Sequence, residues 1–290
     1  LELFEVKSPY IYPNEVFMGT STITSQPSTS GTRWKAVAIP PEHGAWGFLL
    51  EPILLGLLVA PSWAGLCLSL AVTGAFLVRH PLKIAFVDRQ RGKRYARSIL
   101  AERVVLIYGT LAVIGLIAAV VLAGLDMLLP LVLSAPLVAV LLAGTLVNRG
   151  RDLLPELAGP SALAATAASL GVAGGETLDM ALALWVILLA RNIPSILYVR
   201  ARLRLDKHKP AALAPVLAIN GIAVVGVLAL ALAGLAPGLA VLAVTLLALR
   251  AAIMLAPNRP QVRVQTIGFM EMGLGLLTVL LDAVGYAVGW

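Results

Sequence analysis

The chain has 290 residues, of which 59 % are hydrophobic and only 13 % charged, with a net charge of +7. Soluble domains carry about 25 % charged residues, so this composition excludes an ordinary soluble protein and gives a polytopic membrane protein. Its apolar runs do not alternate with polar residues, which excludes a closed barrel and leaves an all-α class.

In chain order, residues 1–36 are the only clearly soluble part. The Ser/Thr-rich stretch from Gly19 to Thr32 has no periodic apolar face, so this part is expected to be a disordered cytoplasmic tail. No secretory leader pattern is present, and Met18 is an alternative start to Leu1. Nine apolar segments follow, at about 44–60, 62–87, 101–124, 126–147, 156–173, 178–199, 210–233, 237–256 and 264–288, most of them with the roughly 20 residues a bilayer requires. The fifth is short and rich in Gly, Ala and Ser, which suits close helix packing rather than lipid. The single cysteine, Cys67, lies in the second segment; it excludes an intrachain disulfide and a cysteine-cluster metal site.

With the N-terminus placed inside, all 22 Lys and Arg fall on the cytoplasmic side. Lys7, Arg33 and Lys35 are in the tail, and eight follow the second segment, from Arg79 to Arg103. Arg149 and Arg151 follow the fourth, six from Arg191 to Lys209 flank the end of the sixth, and Arg250, Arg259 and Arg263 are counted after the eighth. The opposite connections, near Pro61, Gly124, Gly174 and Ala236, carry none. This predicts an integral membrane protein with its N-terminus inside and its C-terminus outside. It also accounts for most of the cations, which orient the chain and meet anionic lipid, and removes any reason to invoke nucleic acid.

One stretch occurs twice. Arg79-His80-Pro81-Leu82-Lys83 leads to Phe86-Val87-Asp88-Arg89, and Arg191-Asn192-Ile193-Pro194-Ser195 leads to Tyr198-Val199-Arg200-Ala201-Arg202, 112 residues later. Pro41-Glu42 and Pro155-Glu156 form a weaker pair of echoes. The chain is therefore read as a tail (1–36) and a membrane domain (37–290). Within the domain, repeats at about 41–150 and 155–256 are followed by a ninth helix at about 264–288, an arrangement that places a site at the repeat interface. Arg191, Ser195, Tyr198 and Arg202 share one helix face, as do Arg79, Lys83, Phe86 and Gln90. Pro81 and Pro194 remove helical hydrogen bonds and are expected to bend their helices. Arg79, Lys83, Arg89, Arg191, Asn192, Arg200 and Arg202 are the candidate anion- or phosphate-binding set, because guanidinium forks suit such groups.

Glu51, in the middle of the first segment, is a membrane carboxylate that must face a cavity or a cation. The candidate catalytic groups are Glu42, His43, Glu51, His80, Asp88 and Tyr198; His43 can shuttle a proton, and Tyr198 reads equally well as an interfacial aromatic. Asp88 and Asp206 are expected to pair with nearby arginines. Asn148 and Asn220 are expected to hydrogen-bond between helices, and Glu271 and Asp282 to make structural polar contacts, with a place in the cytoplasmic vestibule as the alternative for Glu271.

The stretch Pro41-Glu42-His43-Gly44-Ala45-Trp46, with the basic run after Arg79-His80-Pro81, resembles the YwiC-like family of bacterial membrane proteins over most of residues 38–290. More remotely, the plan is similar to the UbiA superfamily of intramembrane prenyltransferases. That resemblance implies nine helices as two four-helix repeats plus one, a central cavity, and polar motifs at the cytoplasmic ends of the second and sixth helices. It would also imply Mg²⁺ and a prenyl diphosphate held by clustered aspartates. This chain has one Asp in each region amid cations, a poor donor set for Mg²⁺; a diphosphate would instead be neutralised by Arg and Lys. No metal site is assigned.

Three functions follow from these readings. One is a divergent prenyltransferase-like protein that binds an isoprenoid or lipid phosphate at the cytoplasmic mouth. Another is a proton-coupled transporter or exporter of a small organic anion using Glu51 and His43. The third is a non-catalytic membrane scaffold.

Overall fold

A computed structural model describes residues 34–40, 43–90, 92, 95–147, 149–150 and 152–289, with the side chains of His43 and Leu146 outside that set. Among the described residues every regular element is helical. In order they are α1 (Trp34–Ala38), α2 (His43–Val59), α3 (Trp63–Gln90), α4 (Ala96–Ala123), a 3₁₀ turn (Asp126–Leu128), α5 (Leu129–Leu133), α6 (Ala135–Leu146), α7 (Leu153–Ala173), α8 (Leu178–Asp206), α9 (Leu213–Leu232), α10 (Gly238–Leu255) and α11 (Val264–Val288).

Each expected apolar segment falls on a helix, and the fourth on a helix pair bent by 43° at Ser134. Among the described residues six helices are long and apolar enough to cross a bilayer, or seven if the bent pair is one span. The other two expected segments are α2 and α7. With 17 residues, α2 is about 26 Å long, short of the roughly 30 Å hydrocarbon core. α7 is long enough but is built largely of Ala, Gly, Ser and Thr. The spanning helices turn large aliphatic residues outward: Leu106 is 70 % exposed, Val121 78 % and Leu232 82 %. Apolar surface of that extent belongs against lipid rather than water.

Small residues determine which helices sit inside. α7 is the most enclosed helix, packed on α8, α2 and α6, and its Ala164, Ala165, Ala167, Ala168 and Ser169 have no exposed surface. Without large side chains between them, neighbouring backbones approach closely. At Gly56 an added Cβ would stand 2.5 Å from Leu170 Cβ, so α2 and α7 touch almost backbone to backbone. α3 and α4 form the other intimate pair. Gly74 faces the Tyr108 carbonyl and Ala112, and Gly115 faces the Cys67 carbonyl and Ala71.

Residues 1–33, which carry most of the expected tail, lie outside the described residues, as does Asn148. Trp34–Ala36, placed by the sequence in that tail, instead begin α1, which packs on α3 and α4. Both α3 and α8 run as single helices through Pro81 and Pro194. Asn220 bonds the Val216 carbonyl of its own helix (2.8 Å) rather than a neighbouring helix: the carbonyl one turn back is within reach of its short side chain.

The α2–α7 contact gives a direct test. Gly56→Ala is expected to destabilise the folded protein by about 1–3 kcal/mol through overpacking. Gly109→Ala, where nothing lies within 4 Å of the added carbon, is expected to leave it unchanged, as read by thermal unfolding in detergent.

Candidate functional site

Four charged residues from four helices meet inside the bundle. Glu51 lies near the middle of α2 and Arg191 near the middle of α8, 5 % and 3 % exposed. Arg191 Nη2 donates to Glu51 Oε1 at 2.8 Å and to the Glu271 backbone carbonyl of α11 at 2.8 Å. Its guanidinium also lies 5.8 Å from the centre of the Phe48 ring. Arg250 of α10 forms the second pair: its Nη1 is 2.7 Å from Glu271 Oε1. Its Nη2 donates to Glu271 Oε2 at 3.2 Å and to Ser195 Oγ of α8 at 3.3 Å. The Arg250 guanidinium sits 3.8 Å over the Tyr198 ring, a cation–π contact strengthened by desolvation.

The cluster thus holds two carboxylates and two guanidiniums and is formally neutral. An isolated charge at this depth would be far more costly than a paired one. Gly275 makes the arrangement possible. A Cβ at this position would overlap both the Glu51 carboxylate and the Arg191 guanidinium, so only glycine lets α11 close over the pair. Several buried polar atoms in and around the cluster have no hydrogen-bond partner: Glu51 Oε2, Arg191 Nε, Arg250 Nε and Asn192 Oδ1.

The two copies of the repeated stretch have different environments. In the second, Arg191, Asn192 and Arg202 are buried. Asn192 Nδ2 donates to the Pro160 carbonyl at 3.5 Å. Arg202 binds Asp206 at 3.0 Å, the Met254 carbonyl at 2.6 Å and the Pro260 carbonyl. Arg200 pairs with Glu156 of α7. In the first copy Arg79, Lys83 and Arg89 are exposed. α3 packs chiefly on α4, whereas α8 packs chiefly on α7 and α9.

The remaining sequence candidates have mostly structural partners. Asp88 is buried and accepts a two-pronged contact from Arg97 (2.7 and 2.9 Å) and one from Ser98 (2.7 Å). Asp206 pairs with Arg202 and Arg259, so both aspartates have the arginine partners expected of them. His80 Nε2 is 3.1 Å from the Ala36 carbonyl, which can only accept, so that nitrogen carries hydrogen and ties α1 to α3. Glu42 and the His43 side chain lie outside the described residues. Tyr198 is 4 % exposed and packs on Arg250.

Sequence reasoning missed Arg250, Gly275 and Phe48. Arg250 was grouped with the loop cations, yet five further residues of α10 follow it. An arginine one turn and more inside an apolar helix was the available signal. Nothing local marks Gly275 among the glycines of α11.

Mg²⁺ does not fit the residues present. Among the described residues no group of three or more His, Cys, Asp or Glu is placed to hold a metal, and Asp88 and Asp206 are each held by guanidinium groups.

The apolar spans and the buried ion cluster define the class: a helical membrane protein with an internal charge network. Residues 39–173 match the model of the family described as YwiC-like protein, so over α2 to α7, Glu51 included, the chain is similar to that family. The match ends before Arg191, and so spans less than the resemblance read from the sequence. No curated protein and no solved structure matches the chain.

Removing one partner of the second pair should expose its cost. Arg250→Met is expected to destabilise the protein by about 3–5 kcal/mol by leaving the half-buried Glu271 without its counter-charge. Arg250→Met combined with Glu271→Leu is expected to recover most of that loss, measured by chemical unfolding in mixed micelles.

Proposed function

We propose that the protein is a membrane carrier for a small organic anion, with the Glu51–Arg191–Glu271–Arg250 cluster as its ligand site. The observation that carries this reading is the Glu51–Arg191 pair, buried between the midpoints of two membrane helices. Intramembrane ion pairs of this kind mark substrate and proton pathways. A carboxylate or phosphate entering beside the cluster would accept hydrogen bonds from Arg191 Nε and Arg250 Nε, two guanidinium donors without a hydrogen-bond partner among the described residues. Glu51 would release Arg191 by taking a proton, so that the site never holds an excess of like charge. This exchange couples anion movement to a proton.

In this reading the chain crosses the bilayer nine times, with α2 as a short crossing, α7 as an enclosed one and the bent pair as one. The arginine-rich ends face the cytoplasm, a reading that the one-sided distribution of Lys and Arg supports. Enclosure of α7 supports this count, because an enclosed helix needs no apolar outer face, and α2 keeps an exposed apolar stripe at Leu50, Leu54 and Leu58.

The test is reconstitution in proteoliposomes, with internal pH followed by a trapped dye while a panel of small carboxylates and organic phosphates is added outside. Wild-type protein is expected to acidify the lumen with at least one of them. Arg191→Ala is expected to abolish the response, and Glu51→Gln to uncouple it from pH. No response from wild type to any anion on the panel removes the carrier reading.

A second reading has its own observation. Arg79, Lys83 and Arg89 are exposed near the end of α3 and have no side-chain partner among the described residues. They suit a lipid or isoprenoid phosphate at the cytoplasmic mouth, the ligand of a divergent prenyltransferase. Mass spectrometry of co-purified lipids would then show an anionic lipid or isoprenoid phosphate with wild type. It would be reduced at least several-fold in the Arg79→Ala/Lys83→Ala/Arg89→Ala variant; equal amounts in both remove this reading.

A further inference from the structure

α11 carries a second feature that the ion cluster does not use. Glu271, Gly275, Thr278 and Asp282 fall at i, i+4, i+7 and i+11, one face of a helix, and this face turns inward. Gly275, Thr278 and Asp282 are buried, whereas Leu276, Leu277, Leu280 and Val284 on the other side are exposed. Asp282 has no exposed surface at all, and neither of its carboxyl oxygens has a hydrogen-bond partner. Around Val279, one turn before it, the neighbours are Leu55, Ala164, Ala167, Leu184 and Leu188.

We propose that Asp282 is a proton-binding site at the end of this polar track. An ionised carboxylate with neither donor nor counter-charge is not tolerated in so apolar a setting. Charge must be removed by a proton or balanced by a cation. A metal cation requires several oxygen ligands. The nearest polar side chain on the same face, Thr278, already donates its hydroxyl to the Leu274 carbonyl at 2.9 Å. A proton needs no such shell.

The helices packed on α11 are α2, α8 and α10, with α7 reaching it at Ala164 and Ala167; the charged residue of α7, Glu156, is paired with Arg200, and the charged groups of the others do not meet Asp282. Glu51, Arg191 and Arg250 are engaged at the level of Glu271 and Gly275, about 10 Å away along the helix axis. Tyr198, Arg200, Arg202, Arg204 and Asp206 lie farther along α8, beyond Arg191. Asp179 in the first turn of α8, and Glu176 before it, are acidic. The connections at 174–177 and 233–237 and the chain after Arg263 contain no Lys or Arg. On α11 itself the next titratable group is Tyr286, one turn on, whose hydroxyl donates to the Leu235 carbonyl at 2.8 Å. The far end of α11 therefore offers acids and a phenol but no counter-charge, and it shares one helix face with Glu271 of the ion cluster. As the outer stage of proton coupling this rests on the carrier reading; as a proton site it is read out without transport.

The experiment is infrared spectroscopy of the full chain in lipid nanodiscs at neutral pH, in H₂O and D₂O, comparing wild type with Asp282→Asn. Asn has the shape of a neutral carboxyl. The expected result is a C=O stretch of a protonated carboxyl in wild type, shifted by deuteration and lost in Asp282→Asn, with the melting temperature of the variant unchanged. A variant that keeps the full band, or one that no longer folds because the ionised carboxylate was needed, overturns the proposal. Loss of the band alongside wild-type protein that carries no anion in the dye assay upholds the proton site and removes the carrier reading instead.

Discussion

The contact between Glu51 and Arg191 constrains the rest of the bundle. Two opposite charges cannot be brought to the middle of two apolar helices unless they meet, and once they meet α2 and α8 are fixed in register. α11 must then present a residue without a side chain at the crossing, which is Gly275, and a backbone carbonyl, that of Glu271, to share the remaining donor capacity. Because the same Glu271 carries its own carboxylate, α10 must supply a second arginine. Four helices are thus positioned by a sequence of charge-balancing requirements, each following from the low dielectric of its surroundings.

Aliphatic packing alone would not specify this arrangement. In lipid the apolar side chains of a helix find equivalent partners in acyl chains, so burial between helices gains little. Close approach at Gly56, Gly74 and Gly115 and polar contacts such as Trp185 to the Ser161 carbonyl (2.9 Å) select the neighbours. The ion cluster selects their register. A buried pair of this type contributes little net stability compared with well-packed apolar residues, while breaking it is costly. Its retention in the bundle is therefore better explained by specificity or function than by stability.

The composition and apolar runs made the helical class and nearly every helix position legible, because a membrane span is a local property of about 20 residues. The prominence of Arg191 was legible too, as a cation placed well before its helix ends, and so was the need of Glu51 for a cation. Their mutual contact was not, since 140 residues separate them and nothing local encodes a pairing between distant helices. The repeat misled in one respect. Similar residues in the two stretches suggested similar roles, but the environments differ: Arg191 is enclosed by α2 and α11, whereas Arg79 lies on an exposed part of α3. Counting cations by loop likewise hid Arg250, whose position within α10 is set by the partner it finds on α11.

The central claim is that Glu51 and Arg191 act as one unit inside the membrane. A double-mutant cycle over Glu51→Gln, Arg191→Met and the combination, scored by unfolding free energy in lipid micelles, measures that unit directly. The account predicts that each single change destabilises the protein and that the double variant is far less affected than the sum, with a coupling of about 1–3 kcal/mol. Strictly additive effects would contradict it.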